Sequence, residues 1–423
     1  MNHFLWKGVI RDRTRTLLPV LVVTIGVFFI IFLDGFVNGI ISNMIGKNAI
    51  FQTGHVKVMT KAYNQDKELK PIDLAILDLD LILEELHTLY PVMDWNPRIY
   101  FGGLLDVPDE HGETLAQGPV VATAYNLLSS ESKEVQRLGL DHAITAGKII
   151  QKQGEVLISY DFAERFNVKP NDIVTFFGST MYGSMSFTNF TVAGVVRFGI
   201  TALDRGAIVV DITDARSLLD MDNAAGEILG FFPDDLYDRE RAESVKTDFN
   251  ARYIDVDDEY APYMIQLTDQ ALMAGTIAFY DRISLILLAL LVLALSIVLW
   301  NTGVLGGIRR YSEFGIRLAM GEEKRHIYST LLIESLFIGL IGSSIGTLAG
   351  IAVSIYLGKH GINYGVVVDT TSLLIEPVIR SQLTPRMYYI GFVPGVISML
   401  IGSALAGIAV YRRKTAELFK ELG

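Results

Sequence analysis

Four long apolar runs, one near the start of the chain and three in its last third, limit what this sequence can fold into. They span 17–41, 283–305, 327–357 and 388–411. Each is long enough for the roughly 20 helical residues that cross a hydrocarbon core. Helix is the expected state, because lipid offers no water to unpaired backbone groups. Between the first and second runs lies 42–280, with 19 Lys and Arg against 36 Asp and Glu, a balance of −17. The whole chain stands at −11, which leaves about +6 for the rest. The reading is an α-helical membrane protein with four transmembrane helices and a large α+β extracytoplasmic domain inserted between the first and the second.

Orientation follows from the basic flanks. Lys7, Arg11, Arg13 and Arg15 precede the first run. Arg309, Arg310, Arg317, Lys324 and Arg325 lie between the second and third, and Arg412, Arg413 and Lys414 follow the fourth. Basic loops stay cytoplasmic. This predicts a cytoplasmic N-terminus (1–16), a cytoplasmic loop at 306–326 and a cytoplasmic tail at 412–423. The 42–280 segment and the 358–386 loop then lie outside. An acidic exterior argues against a nucleic-acid partner. The first run continues through Phe36 and Ile40 with no small-x-small site after it, so it is expected to stay as an anchor. The chain has no cysteine, which excludes disulfides, a thiol nucleophile and thiolate metal sites.

Within 42–280 the pattern predicts two subdomains. His55–Met59 opens as strand, and 78–89 is an amphipathic helix with Leu79, Ile82, Leu83, Leu86 and Leu89 on one face. Tyr90-Pro91 and Asn96-Pro97 read as stops. Short apolar runs at 119–124, 156–159, 173–177, 190–196 and 207–211 read as strands. The stretch 234–259 is charged, and 263–279 is expected to be a helix leading into the second span.

Small residues recur at four-residue spacing: Gly35 and Gly39, Gly303 and Gly307, Gly342, Gly346 and Gly350, Gly391 and Gly395. This spacing lets helices approach closely. Charges inside the spans are few. Asp34 and Glu334 read as interhelical or helix-end hydrogen-bonding groups rather than a relay.

No catalytic or metal constellation emerges. His3, His55, His87, His111, His142, His326 and His360 form no ligand pair. Ser159 and Ser184 lack a nucleophile-elbow context. The acidic runs Asp234-Asp235 and Asp257-Asp258-Glu259 read as solvated loops. A G-x-x-x-x-G-K-[ST] loop is absent, so no nucleotide site is visible.

The stretch 309–350, RRYSEFGIRLAMGEEKRHIYSTLLIESLFIGLIGSSIGTLAG, resembles the FtsX-like permease module of the MacB, LolC/LolE and FtsX group of ABC transporters. Glu313, Gly315, Ile316, Arg317, Ala319, Gly321, Ile327 and Glu334 carry the likeness. Residues 154–178 and 190–221 are similar to the MacB-like periplasmic core domain, although Pro170-Asn171-Asp172 stands where that family commonly has Gly-Asp. The resemblance implies a permease domain over 281–423 and no cofactor held by this chain, with ATP and Mg used by a separate cytoplasmic ABC ATPase, in two copies. It also implies a second permease copy or paralogue, a periplasmic chaperone or adaptor, and residence in the bacterial inner membrane.

Within that reading, Glu313, Phe314, Gly315, Ile316, Arg317, Leu318, Met320 and Gly321 form the helix that locks onto the ATPase, with Phe314 and Leu318 seated in its groove. Phe36, Val37, Ile40, Ile41, Met44 and Ile45, with Met273, Ile277 and Phe279, are candidates for an apolar cargo surface. Gly342, Gly346 and Gly350 are packing residues. The leading functional expectation is lipoprotein release by mechanotransmission. Export of a peptide, lipid or drug with an adaptor, an FtsX-like regulator of cell-wall hydrolases, and a membrane-anchored enzyme are the alternatives.

Overall fold

The computed structural model describes residues 13–109, 111–198, 204–308, 311–363 and 378–412. Lys7, Arg11, Arg309, Arg310, Arg413 and Lys414 of the basic flanks lie outside these, as does the 364–377 part of the 358–386 loop. The chain divides into two units: residues 1–43, 278–367 and 376–423 make the helical unit, and 44–277 with 368–375 make the α+β unit.

Among the described residues, four helices are long and apolar enough to cross a membrane: Leu17–Thr53, Met273–Gly306, Lys324–His360 and Met387–Ile408. Three outrun the expected spans, because no proline or glycine cluster stops them at the hydrophobic boundary. The first, α1 (Arg13–Asn48), passes straight into a π-helical turn at Ala49–Thr53 that ends on Gly54.

In the α+β unit, β1 (Val56–Thr60) is followed by α2 (Leu79–Leu89), β2 (Asp94–Pro108), β3 (Thr114–Tyr125), β4 (Ile144–Gly147) and β5 (Glu155–Ser159). Next come α3 (Tyr160–Phe166), β6 (Ile173–Ser179), β7 (Met185–Val196), β8 (Ala207–Asp211), α4 (Ile212–Leu219) and β9 (Glu227–Phe231). The unit ends with α5 (Arg239–Arg252) and β10 (Pro262–Gln266). The helix expected from Tyr263 therefore begins as a strand. Tyr263, Met264 and Ile265 pair with β1, and the helix starts only at Ala271.

Six strands close into a ring. β2 pairs with β3, β3 with β8, β8 with β5, β5 with β7, β7 with β6, and β6 returns to β2. Alternate residues point inward, as the period of two requires. Ile99, Phe101, Leu105, Val120, Ala122, Val156, Ile158, Val174, Phe176, Val192, Ile208 and Val210 fill the ring, and Phe162 of α3 and Ala215 and Leu218 of α4 belong to the same core. Gly103 and Gly178 leave room for the Phe176 ring, against which a Cβ at either would collide.

A second core lies on the sheet β10-β1-β9-β2, where Asp94–Arg98 of β2 pairs with β9. Here Leu79 and Leu86 of α2 and Ala242 and Phe249 of α5 meet Val56, Val58, Trp95 and Ile228. Asn96-Pro97, read as a stop, sits inside β2, at the stretch where that strand has only β9 beside it. A proline is tolerated there because no second neighbour needs its missing N–H. The outer edge at β10 is closed by a side chain: Asn250 of α5 donates to the Met264 carbonyl and accepts from its N–H, both at 2.8 Å. That leaves Met264 no free backbone group to template another strand.

The helical unit continues with α6 (Ala271–Ile308, of which residues from 278 belong here), α7 (Tyr311–Ala319), α8 (Lys324–His360) and α9 (Met399–Arg412). A helical turn at Met387–Ile390 and a π-helical stretch at Val393–Ser398 precede α9. Val20, Val23, Val27 and Ile31 of α1, Leu299 of α6, Ile338 of α8, Met387 and Met399 share one apolar cluster.

Candidate coupling site

The turn between α6 and α8 is built around α7, whose last turn is closed by a glycine cap. Glu322 N–H donates to the Arg317 carbonyl and Gly321 N–H to the Leu318 carbonyl, both at 3.1 Å, with Gly321 at φ +92°. This pattern ends a helix cleanly and suits glycine because a side chain at that φ is strained. Gly321 is thus the hinge stop of α7. The Arg317 guanidinium grips Glu322 across the turn at 2.7 and 2.9 Å, and His326 Nε2 lies 3.6 Å from the same carboxylate.

The two faces of α7 differ. Phe314 is buried against Ile327 and Leu331 of α8, with Leu318 packed beside it. These two residues seat on the chain's own third apolar helix, which corrects the expectation that they fill a partner's groove. Gly315 is buried, whereas Glu313 is exposed, and Ile316 and Met320 are 51% and 75% exposed. An i, i+3, i+7 line of one charge and two apolar side chains therefore faces away from α8.

The glycines of α8 form a contact ridge. A Cβ on Gly342 would meet Val23 at 2.7 Å, on Gly346 Val27 at 2.9 Å, and on Gly350 Ile31 at 2.6 Å. Gly303 faces the Met399 carbonyl and Gly402, and Gly391 and Gly395 face Val27 and Ser343. Gly39 differs from the helix-against-helix expectation, since a non-helical segment beginning at Arg380 crosses it, while Gly35 meets both that segment, at Ser381, and α8, at Ser354.

The cargo candidates scatter. Phe36 stacks on Phe32, and Phe36, Val37, Ile40, Ile41 and Met44 are all half-buried. In the α+β unit Met273 is closed into a cluster with Ala49 and Leu267, and Ile45 and Ile277 pack around it. Met273 is therefore core rather than open surface, while Phe279 in the helical unit is 58% exposed.

Sequence reasoning missed a buried ionic cluster in the α+β unit. Arg98, fully buried on β2, donates to Glu134 at 2.8 and 3.1 Å and to the Ile50 carbonyl at 2.6 Å. Glu134 also accepts from Arg137 at 3.1 Å, and Arg137 reaches Asp94 at 2.5 Å. Tyr125 and Phe231 cover the guanidiniums at 4.7 and 4.1 Å. Nearby, Lys57 pairs with Glu227 at 2.8 Å. Burial pulls the Lys70 ammonium, 3.2 Å from the centre of the Tyr100 ring, down to about 8. Burial likewise lowers His55 to about 4, and its Nδ1 accepts the Phe232 N–H at 2.9 Å. Arg98 thus ties the segment following α1 to the strand shared by both cores. Its partners lie 36 to 48 positions away in the chain, so no local signal could have announced it. Among the described residues no group of His, Asp or Glu is arranged to hold a metal.

Residues 16–245 match the model of the MacB-like periplasmic core domain, and residues 285–415 match that of the FtsX-like permease C-terminal domain. The chain belongs to the MacB/FtsX-like ABC transporter permeases. Two curated relatives of this permease are the lipoprotein-releasing system transmembrane proteins LolC of Xylella fastidiosa strains Temecula1 and 9a5c. Each is 24% identical over 220 residues, 51% of this chain and 48% of the relative. The permease thus spans about half the length of the curated relatives it matches. The crystal structure of the periplasmic region of MacB from Actinobacillus actinomycetemcomitans aligns with 51% of the chain and 93% of that structure, at 11% identity and a TM-score of 0.33, too low to build on.

Proposed function

We propose that this permease converts movement of a separate cytoplasmic ATPase into movement of its own exterior domain, and that its cargo is lipid-modified protein. The observation that carries the coupling half is the two-faced α7. Phe314 and Leu318 anchor it to α8, so a push on Glu313, Ile316 and Met320 is delivered to a 37-residue helix rather than absorbed in a loop. The α8 ridge on Val23, Val27 and Ile31 then passes displacement to α1 without intervening slack, because close-packed surfaces transmit strain. ATP and Mg stay with the partner ATPase, and two permease chains with two ATPases make the symmetric assembly.

The lipoprotein cargo rests on the LolC relatives, which carry that activity in their names. The basic residues beside the apolar helices support cytoplasmic termini with the α+β unit outside. A topology reporter at Ser130 is expected to read exterior and one at Glu322 cytoplasmic. Photo-crosslinking in cells from Met44 and from the exposed Phe279 is expected to trap acylated protein. A cytoplasmic Ser130 reporter defeats the orientation, and capture of only unacylated peptides or small hydrophobic compounds defeats the cargo.

A further inference from the structure

We propose that Arg386, held on α1 by its ion pair with Asp34, is a staple joining α1 to α6, and that its hydrogen bond to Ser284 is a latch that opens when those two helices separate. It deepens the mechanotransmission reading by naming a joint that the reading leaves unassigned.

The geometry starts with backbone. Residues 380–386 run as a non-helical strap over α1. Gln382 N–H donates to the Gly35 carbonyl at 3.0 Å, and a Cβ on Gly39 would run into the Arg380 carbonyl. A Cβ on Gly35 would meet Ser381 Oγ at 2.5 Å. Glycine at both positions is therefore required for the strap to lie this close.

Side chains then fasten it. Asp34 is 3% exposed, and each oxygen of its carboxylate has a partner. Oδ1 accepts from Arg386 at 2.7 Å and from Asn38 Nδ2 at 3.1 Å, while Oδ2 accepts from Thr384 Oγ1 at 2.8 Å. The same Arg386 nitrogen donates to Ser284 Oγ of α6 at 3.1 Å. One guanidinium thus bridges α1 and α6.

Helices in lipid pack through small apolar and weakly polar residues, and an ionised pair there is costly, so its presence marks function. Packing alone would be served as well by apolar side chains of the same volume. What the ion pair adds is a fixed place on α1 for a charged donor whose remaining bond, at 3.1 Å, is to Ser284 of α6. With α6 at that distance the donor is satisfied, and a few ångströms further it requires water. Two arrangements follow, one dry and closed, one hydrated and open. α1 and α6 are also the chain's two connections to the 56–266 elements, so their separation is the coordinate that exterior-domain movement changes.

The cysteine-free chain allows a direct test. Nitroxide labels at Phe29→Cys on α1 and Leu287→Cys on α6, both about half exposed, report helix separation in the full-length protein in lipid nanodiscs, with no ATPase present. The parent is expected to give one narrow distance population. Arg386→Gln is expected to add a population longer by about 5 Å, the size of a one-turn helix shift. Should Arg386→Gln fail to fold, Asp34→Asn with Arg386→Gln leaves no unpaired buried charge and is expected to show the same longer population. A parent-like narrow distribution in the folded neutral pair overturns the latch. The readout is helix separation and not transport, so failure of the latch and failure of the permease reading are told apart.

Discussion

In the helical unit, Gly342, Gly346 and Gly350 let α8 lie directly on Val23, Val27 and Ile31, and the contact is made by removing side chains. In the α+β unit, Lys57, Arg98, Glu134, Arg137 and Glu227, each with a side chain no more than 6% exposed, are packed together and the contact is made by pairing charges. The first interface depends mainly on shape, and its close packing passes displacement from one helix to the next. The second holds only where its hydrogen bonds are made, so it fixes one geometry. The proposed mechanism uses both: closely packed helices that shift together and a rigid body for them to carry. Arg98 shows the rigidity most clearly, since it binds the strand common to both cores and the Ile50 carbonyl together.

If the α+β unit is rigid through its charges, Arg98→Ala should be the most damaging single change. It leaves Glu134 buried with one cation fewer and should cost about 3–5 kcal/mol, read as a lower unfolding temperature of the full-length protein in detergent. Arg98→Met with Glu134→Leu should recover most of that loss, because Arg137 keeps Asp94. A full loss in the double variant would mean that the charged pair itself, with its bonds to the Ile50 carbonyl and Arg137, is needed rather than a neutral filling of the site.

The pH response probes the same unit. His55 is held neutral, with its affinity for protons lowered from 6.5 to about 4, chiefly by burial. Between those values the unfolded chain binds more protons than the folded one, so this contribution is present in full above pH 6.5 and is lost as pH falls toward 4. The loss should approach about 3 kcal/mol. His55→Asn, which keeps an acceptor for the Phe232 N–H, should flatten the parent's decline in stability over that window. An unchanged slope would place the proton elsewhere.

For the helical unit the matching probe is steric. Gly346→Leu forces a side chain into Val27 and should cost about 1–3 kcal/mol. Gly306→Leu, at a position with nothing within 4 Å, should leave the unfolding temperature unchanged. Equal effects would show that the ridge is not a contact. Smallest of all, Glu322→Gln removes the charge of a partly exposed partner of Arg317 and should shift stability by about 0–1 kcal/mol, since water reaches and screens that pair.

The same contrast explains what could be read from the sequence. Helices in lipid are specified by local composition, so all four apolar helices were legible, as was the amphipathic α7. Strands β5, β6 and β8 were legible because short apolar runs sit between turn residues. β2 was not. Its Asn96-Pro97 and Gly102-Gly103 look like breakers, yet the proline lies where the strand has one neighbour and Gly103 makes room for Phe176. β9 and β10 are short and acquire their state from partners far along the chain, Val56, Lys57 and Val58 above all. For α7 the residues were legible and their direction was not, because which face meets α8 depends on the turn at Gly321.

That direction offers the most direct measurement of coupling. ATP hydrolysis by the partner ATPase, reconstituted with full-length permease in nanodiscs, is compared for Ile316→Asp with Met320→Asp and for the conservative core change Leu318→Met. The outward pair is expected to insert and fold as the parent does while ATPase binding and stimulation fall at least about tenfold, the effect of about 1.4 kcal/mol lost at an interface. Leu318→Met is expected to keep both. Parent-level binding and stimulation in the Ile316, Met320 variant would contradict α7 as the element that receives the ATPase stroke.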